Sequence, residues 1–230
     1  MNRKTLFVII TLSVFQKLFA WEPDTQIVRT ILDKCGFDNL TVKDVAVLEN
    51  DSVVRLNISN RDISRDGIFV LPAELGKLTA LKELDCRGNS IRDLPPEIGE
   101  LVNLRVLNAG SNRLIAIPPE IGKLKNLVRL DLRHNDIGVL PPEIGELENL
   151  EYLWLWGNKL TSLTPEITRL HRLKELYLTD NRLSTLPVGI IRMRLRYIDF
   201  IGNKLCNLSS VLDYWARRID DRYLITQRCR

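Results

Sequence analysis

Apolar residues recur along most of this chain at a fixed interval. Leu81, Leu104, Leu127, Leu150 and Leu173 each stand 23 residues after the last, and Leu195 comes one residue early. From each of them the chain follows the pattern L-x-x-L-x-L-x-x-N-x-L. In the fourth unit this runs from Leu150 through Leu153, Leu155 and Asn158 to Leu160. The second half of a unit usually reads L-P-P-E-I-G-x-L, as at 94–101, 117–124 and 140–147. A degenerate unit starts at Val53, with Leu56, Ile58 and Ile63 in place, Arg61 where asparagine is expected, and five extra residues before Leu71.

Leucines two apart on a strand point to one face. Each unit therefore predicts a short strand whose paired leucines, such as Leu153 and Leu155, are buried. Asn89, Asn112, Asn135, Asn158, Asn181 and Asn203 fall at the turn leaving each strand, where an amide can satisfy backbone groups of that turn and its neighbour. Pro-Glu pairs such as Pro142-Glu143 suit the first turn of a short helix, and the glycines after them suit helix ends. These asparagines and glutamates are read as structural.

Stacked repeats expose apolar core at both ends unless atypical units cover it. Residues 21–52 read as an N-terminal cap, with Ile27, Val28, Ile31 and Leu32 at helical spacing before Gly36. Residues 209–230 read as a C-terminal cap, with Val211, Leu212, Trp215 and Ile219 at the same spacing. Arg217-Arg218 there reads as the solvated face of the capping helix.

Over residues 53–208, about seven units, the chain resembles the leucine-rich repeat family. Its 23-residue form is similar to repeats of bacterial secreted proteins and of intracellular scaffolds. The resemblance implies an α/β solenoid, with parallel strands on a concave face and short helices or turns on the convex one. The segment around Cys206 and Cys229 is similar to C-terminal caps of the bacterial secreted members, which implies a disulfide between these two cysteines. Such a bond would contribute about 3 kcal/mol by loop-closure entropy. Cys86 takes a core leucine position and reads as a buried, unreactive thiol. Cys35 belongs to the N-terminal cap and has no evident partner.

The chain has 33 basic and 29 acidic residues, a formal charge of +4. Residues 1–20 alter that figure. Arg3 and Lys4 precede an apolar run from Leu6 to Phe15, and the small residue Ala20 follows, which together read as a secretory signal peptide. Leu18 stands where a small residue is usual before cleavage, and a buried N-terminal helix is the alternative. The run is too short to span a bilayer, which needs about 20 apolar residues. Cleavage near Ala20 removes Arg3, Lys4 and Lys17 and leaves 30 basic residues against 29 acidic. The remaining chain is nearly neutral, has no further segment that reads as membrane-spanning, and is expected to be secreted, periplasmic or at the cell surface. Asn39, Asn57 and Asn207 match the glycosylation acceptor pattern, relevant only in a eukaryotic secretory pathway.

Residues flanking the core leucines of each strand line the concave face in columns. Seven strands span about 29 Å at the usual strand spacing, enough for a protein interface. Aromatics gather on its C-terminal half: Tyr152, Trp154 and Trp156 on one strand, Tyr177 and Tyr197 on the next two. Arg129, Asp131 and Arg133 flank them on one side and Asp199 on the other. None of the five rings is required by the repeat, and Trp, Tyr and Arg together compose interaction hot spots. The bland alternative is that the rings merely stack and shield the sheet.

The expected function is non-enzymatic recognition of a protein or peptide on this face, with carbohydrate binding by the same rings as the alternative. Nearly every residue is assigned to repeat, cap or leader, so no catalytic domain has room. His134 and His171, the only two histidines, have no nucleophile or ligand cluster beside them. No cofactor or metal is expected, and without a basic stripe no nucleic acid either.

Overall fold

The computed structural model describes residues 23–37, 39–60, 67–219 and 227. The leader-like segment, Arg61, Ile63 and Cys229 lie outside these residues, and with Cys229 the expected pairing to Cys206.

The chain opens with helix α1 (Asp24–Lys34) and a one-turn helix α2 (Val42–Val45). Ile27, Val28, Ile31 and Leu32 all face the core, as their spacing predicts. The Asp24 carboxylate accepts the Val53 backbone N–H at 2.6 Å and ties the cap to the first repeat. The cap also contains a strand that no periodicity announces. β1 (Ala46–Glu49) pairs antiparallel with β2 (Ser52–Asn57) through a two-residue turn, Asn50-Asp51, both at positive φ. This hairpin covers the edge that a parallel stack would leave open.

Six further strands follow in order: β3 (Glu83–Asp85), β4 (Val106–Asn108), β5 (Arg129–Asp131), β6 (Tyr152–Trp154), β7 (Glu175–Tyr177) and β8 (Tyr197–Asp199). From β2 onward each pairs parallel with the next in constant register, so Leu56, Leu84, Leu107, Leu130, Leu153, Leu176 and Ile198 form one row. All but Ile198 are fully buried. The return segments are five-residue 3-10 helices, with Pro96, Pro119, Pro142 and Pro165 opening four of them.

The asparagines form a ladder. Asn158 Nδ2 donates to Leu155 O in its own turn and to Leu132 O in the previous one, both at 2.9 Å, while its Oδ1 accepts the Ile137 N–H at 3.1 Å. Asn112, Asn135 and Asn181 repeat this pattern. Gln227 ends the ladder: its Oε1 accepts Leu205 N–H and its Nε2 donates to Phe200 O, each at 3.3 Å. The longer glutamine reaches from the C-terminal segment to a place where no further repeat supplies an asparagine.

The glycines of the E-I-G motif do not end helices as expected. They lie within the 3-10 turns, and their role is close approach. A Cβ on Gly99 would lie 2.8 Å from both Cβ and backbone O of Glu120, and one on Gly122 would lie 2.9 Å from the same atoms of Glu143. Gly76 meets Glu97, and Gly145 meets Glu166, in the same way. Thr168 breaks the series, and opposite it the glutamate is replaced by Gly189, whose Cβ would meet Thr168 Cγ2 at 2.9 Å. The bulky residue has changed sides of the contact.

At the C-terminal end, helix α3 (Ser210–Ile219) buries Leu212 and Ala216 and lays Trp215 against Phe200, ring centroids 6.1 Å apart. Val211 and Ile219, expected on that face, are half exposed. The helix is rotated so that small Ala216 meets the last repeat, which lets the Trp215 ring reach Phe200. Cys86 is fully buried, and burial pushes its thiol well above the ordinary range. Burial likewise pushes the Cys35 thiol up to about 11. Among the described residues no helix is long and apolar enough to cross a membrane.

Candidate functional site

The in-register strands place the aromatic residues on adjacent rungs of the concave face. Tyr152 stands between Arg129 and Glu175, and Trp154 between Asp131 and Tyr177. Tyr177 is followed by Asp199, and Glu175 by Tyr197. Tyr152, Trp154, Trp156 and Tyr177 are half-buried and Tyr197 is exposed. The sequence-predicted cluster is therefore assembled, and its rings touch. Trp154 meets Tyr177 edge-on at 6.2 Å between centroids, and Tyr177 lies 4.9 Å from Tyr197. Each such pair contributes about 0.5–1.5 kcal/mol beyond its buried area.

The two arginines stack on the rings. Arg129 lies 5.3 Å from the Tyr152 ring and 5.4 Å from Trp154, and Arg133 lies 5.5 Å from Trp154 and 5.7 Å from Trp156. Cations over aromatic faces hold the rings and their own side chains in place. Between Arg133, Trp154, Trp156 and Tyr177 a hollow of about 170 Å³ remains open. On the far side of Arg133 a second hollow, about 290 Å³, is lined by Ser59, Asn60, Arg87, Gly88 and Ser111. Arg133 is the wall between them.

Asp131 is the residue whose environment the repeat pattern conceals. Its neighbours in the same column are partly exposed, but it is only 1% exposed. Gly110, just after the preceding strand, explains this. A Cβ there would lie 2.9 Å from Asp131 Oδ1 and 3.0 Å from Arg133 Cγ, so the missing side chain is the space they occupy. Asp131 Oδ1 accepts the Arg133 backbone N–H at 3.2 Å, and Arg133 Nε lies 3.1 Å from Oδ2. Burial raises the carboxyl above its ordinary range, and the Arg133 charge only partly offsets that. The Asp131 Oδ2, Trp154 indole N–H and Thr179 hydroxyl, on or beside three successive strands, have no hydrogen-bond partner among the described residues.

A raised native carboxyl pKa means that the folded state binds the proton more tightly than the unfolded chain. This stabilisation is fully present below the ordinary carboxyl pKa and is lost as pH rises through the raised native value. Asp131→Asn is expected to increase stability at neutral pH and to flatten that decline, since Asn retains an acceptor for the Arg133 N–H. Urea unfolding at pH 4 and pH 7 checks it. A variant less stable than the parent at pH 7 would show that the Arg133 pair outweighs the burial.

Sequence reasoning missed His134 as part of the site. It sits at φ 49°, and its ring packs edge-on against Trp156 at 4.1 Å. The residue before each asparagine is left-handed throughout: Gly88, Ser111, His134, Gly157, Asp180 and Gly202. His134 covers Gly157, where a Cβ would come 2.6 Å from its Nδ1. The available signal was the glycine that follows one unit after the bulkier residue, Gly157 after His134 and Gly202 after Asp180. His171 is exposed on the opposite side, beside Arg192 and Arg194. Among the described residues no three His, Cys, Asp or Glu side chains gather as a metal group.

An α/β solenoid with an asparagine ladder and an aromatic concave face is the architecture of a repeat-built interaction module. The leucine-rich repeat signature matches residues 80–101, and its two-copy form matches residues 102–142 and 148–188; the chain belongs to the leucine-rich repeat family. No curated protein sequence matches it significantly. Among solved structures it is similar to a leucine-rich repeat protein of Leptospira interrogans, at 30% identity and TM-score 0.59, over 84% of this chain and 50% of that one. A plant ice-binding protein is 25% identical with TM-score 0.68, over 81% of this chain and 64% of that one. The ectodomain of an Arabidopsis thaliana membrane receptor kinase, in complex with CASPARIAN STRIP INTEGRITY FACTOR 2, is 34% identical with TM-score 0.61. That match covers 70% of this chain and 20% of that one. The chain thus spans half the length of the Leptospira protein and a fifth of the receptor ectodomain. Leucine-rich repeats of this kind are generally protein-interaction modules rather than enzymes.

Proposed function

We propose that the protein is a non-enzymatic recognition module that binds a protein or peptide on its concave face, centred on Tyr152, Trp154, Trp156, Tyr177 and Tyr197. The observation that carries this reading is the open hollow between Arg133, Trp154, Trp156 and Tyr177. Its rings are locked by neighbouring contacts, yet their outer surfaces remain free. Rigid Trp, Tyr and Arg side chains lose little entropy on binding and are the residues that anchor interfaces. The similarity to a receptor ectodomain solved in complex with its factor supports a peptide ligand. Sugar stacking on the same rings is the second reading, favoured only by the partly exposed aromatic residues.

A displayed random-peptide library and a glycan array, each read against Trp154→Ala/Trp156→Ala, separate these. The expected result is retention of peptides, weakened about a hundredfold or more in the double variant, with its circular dichroism unchanged. Glycan retention alone would transfer the site to the second reading. Loss of sheet signal would make the tryptophans structural. We also place the protein outside the cytoplasm, on the strength of the leader-like residues 1–20. Exported protein with Met1 intact would overturn the cleaved leader, and recovery from the cytoplasm alone would overturn the placement.

A further inference from the structure

We infer that the concave face takes an extended peptide carrying an acidic and a basic side chain three or four residues apart, with an apolar side chain between them. This rests on the peptide reading above and specifies its ligand. The charges on the face fall into two groups. On the N-terminal half they are matched internally: Arg55 lies 2.7 Å from Glu83, Arg87 is 2.6 Å from Asp85, and Arg133 is 3.1 Å from Asp131. Around the aromatic rings three charges have no ionic partner among the described residues. Arg129 lies on the Tyr152 and Trp154 rings. Glu175 accepts only the Tyr177 hydroxyl, at 3.1 Å. Asp199 accepts the Ile201 backbone N–H at 3.0 Å.

Register sets how far apart these poles are. Arg129 and Glu175 share one column with Tyr152 between them. Two strand spacings separate them by about 10 Å, and Asp199, one strand further, lies about 14 Å from β5. Because the Arg129 guanidinium lies on the rings, the face shows one positive pole, an aromatic floor with its hollow, and then a negative pole. An extended chain advances about 3.3 Å per residue, so three or four residues reach from pole to pole. The hollow between the poles receives the apolar side chain. A neutral glycan would leave both poles unmatched, and a nucleic acid would meet the negative pole with its own phosphates. Complementary poles of this kind act mainly on specificity and register.

The test uses a phage-displayed random dodecapeptide library on the full chain, counter-selected on Trp154→Ala/Trp156→Ala. Selected peptides are expected to share an acid and a base three or four residues apart around an apolar residue. A selected peptide should bind Glu175→Lys about tenfold more weakly or worse, and exchanging its basic residue for glutamate should restore binding to that variant. Selection that depends on the tryptophans but yields no such charge pair overturns this inference and leaves the peptide reading standing, as does unchanged affinity for Glu175→Lys. Absence of any peptide enriched over the counter-selection sinks both, and glycan-array binding would then mark the rings as a sugar platform.

Discussion

Replacing Asn158 with alanine is expected to lower the unfolding free energy by about 2–4 kcal/mol, a large share of the 5–15 kcal/mol typical of a folded chain. The loss comes from what the amide leaves behind. Ile137 N–H loses its partner, while Leu132 O and Leu155 O each lose one of two amide donors and keep the bond from Asn135 Nδ2 or Asn181 Nδ2. A buried N–H without a partner costs about 1–3 kcal/mol and each of the two lost carbonyl bonds about 0.5–1.5 kcal/mol, and water admitted into the gap recovers part of it. Asn158→Asp is the sharper control. It retains the acceptor for Ile137 N–H but loses both donors and places a charge in the core, so it should be no more stable than alanine at neutral pH. Partial recovery on acidification should follow as the carboxyl takes up a proton. Urea midpoints with unchanged slopes measure this. A loss below about 1 kcal/mol would mean that the ladder is decoration on a stack held by leucine alone.

The exchange at Thr168 and Gly189 supports the second prediction. Gly189→Glu restores the residue found at that place in five other units, yet it is expected to cost about 1–3 kcal/mol. Its Cβ would press on Thr168 Cγ2, and the Thr168 side chain cannot swing away without breaking its 2.7 Å bond to Pro165 O. Combining it with Thr168→Gly recreates the glycine-to-glutamate contact of the other interfaces. The double variant should therefore be more stable than Gly189→Glu alone, although glycine by itself costs up to about 1 kcal/mol. The diagnostic is the coupling in a double-mutant cycle. Simple additivity of the two changes would remove the steric account of why both positions depart from the repeat together.

Much of this architecture was legible in the chain because the repeat is strict. A leucine pair two residues apart, an asparagine three residues on and a proline at the return specify strand, turn and return segment without knowledge of neighbours. The N-terminal hairpin was not legible. β1 has one partner and no periodicity, and the exposure of Val47 and Leu48 hides its pairing. The C-terminal helix was legible as a helix but not in its rotation, since helical spacing allows Ile219 or Ala216 to face the core. The aromatic cluster could be placed because parallel register converts a 23-residue interval into adjacency. The state of Asp131 could not be. Asp85 and Asp199 occupy equivalent places and remain partly exposed, and only the space left by Gly110 draws Asp131 inside.

What the sequence by itself determined is therefore the stack: the number of units, the face of each strand that is buried, and which side chains share a column. Those follow from local periodicity, and a solenoid uses mainly nearest-neighbour contacts. What only the tertiary structure decided is how residues 21 to 23 apart meet. It sets which glycine receives which glutamate, which histidine covers which glycine, where Gln227 closes the ladder, and which charges on the concave face find partners. Those outcomes depend on separations of a few tenths of an ångström between neighbouring units, which a repeat interval of 23 residues does not encode.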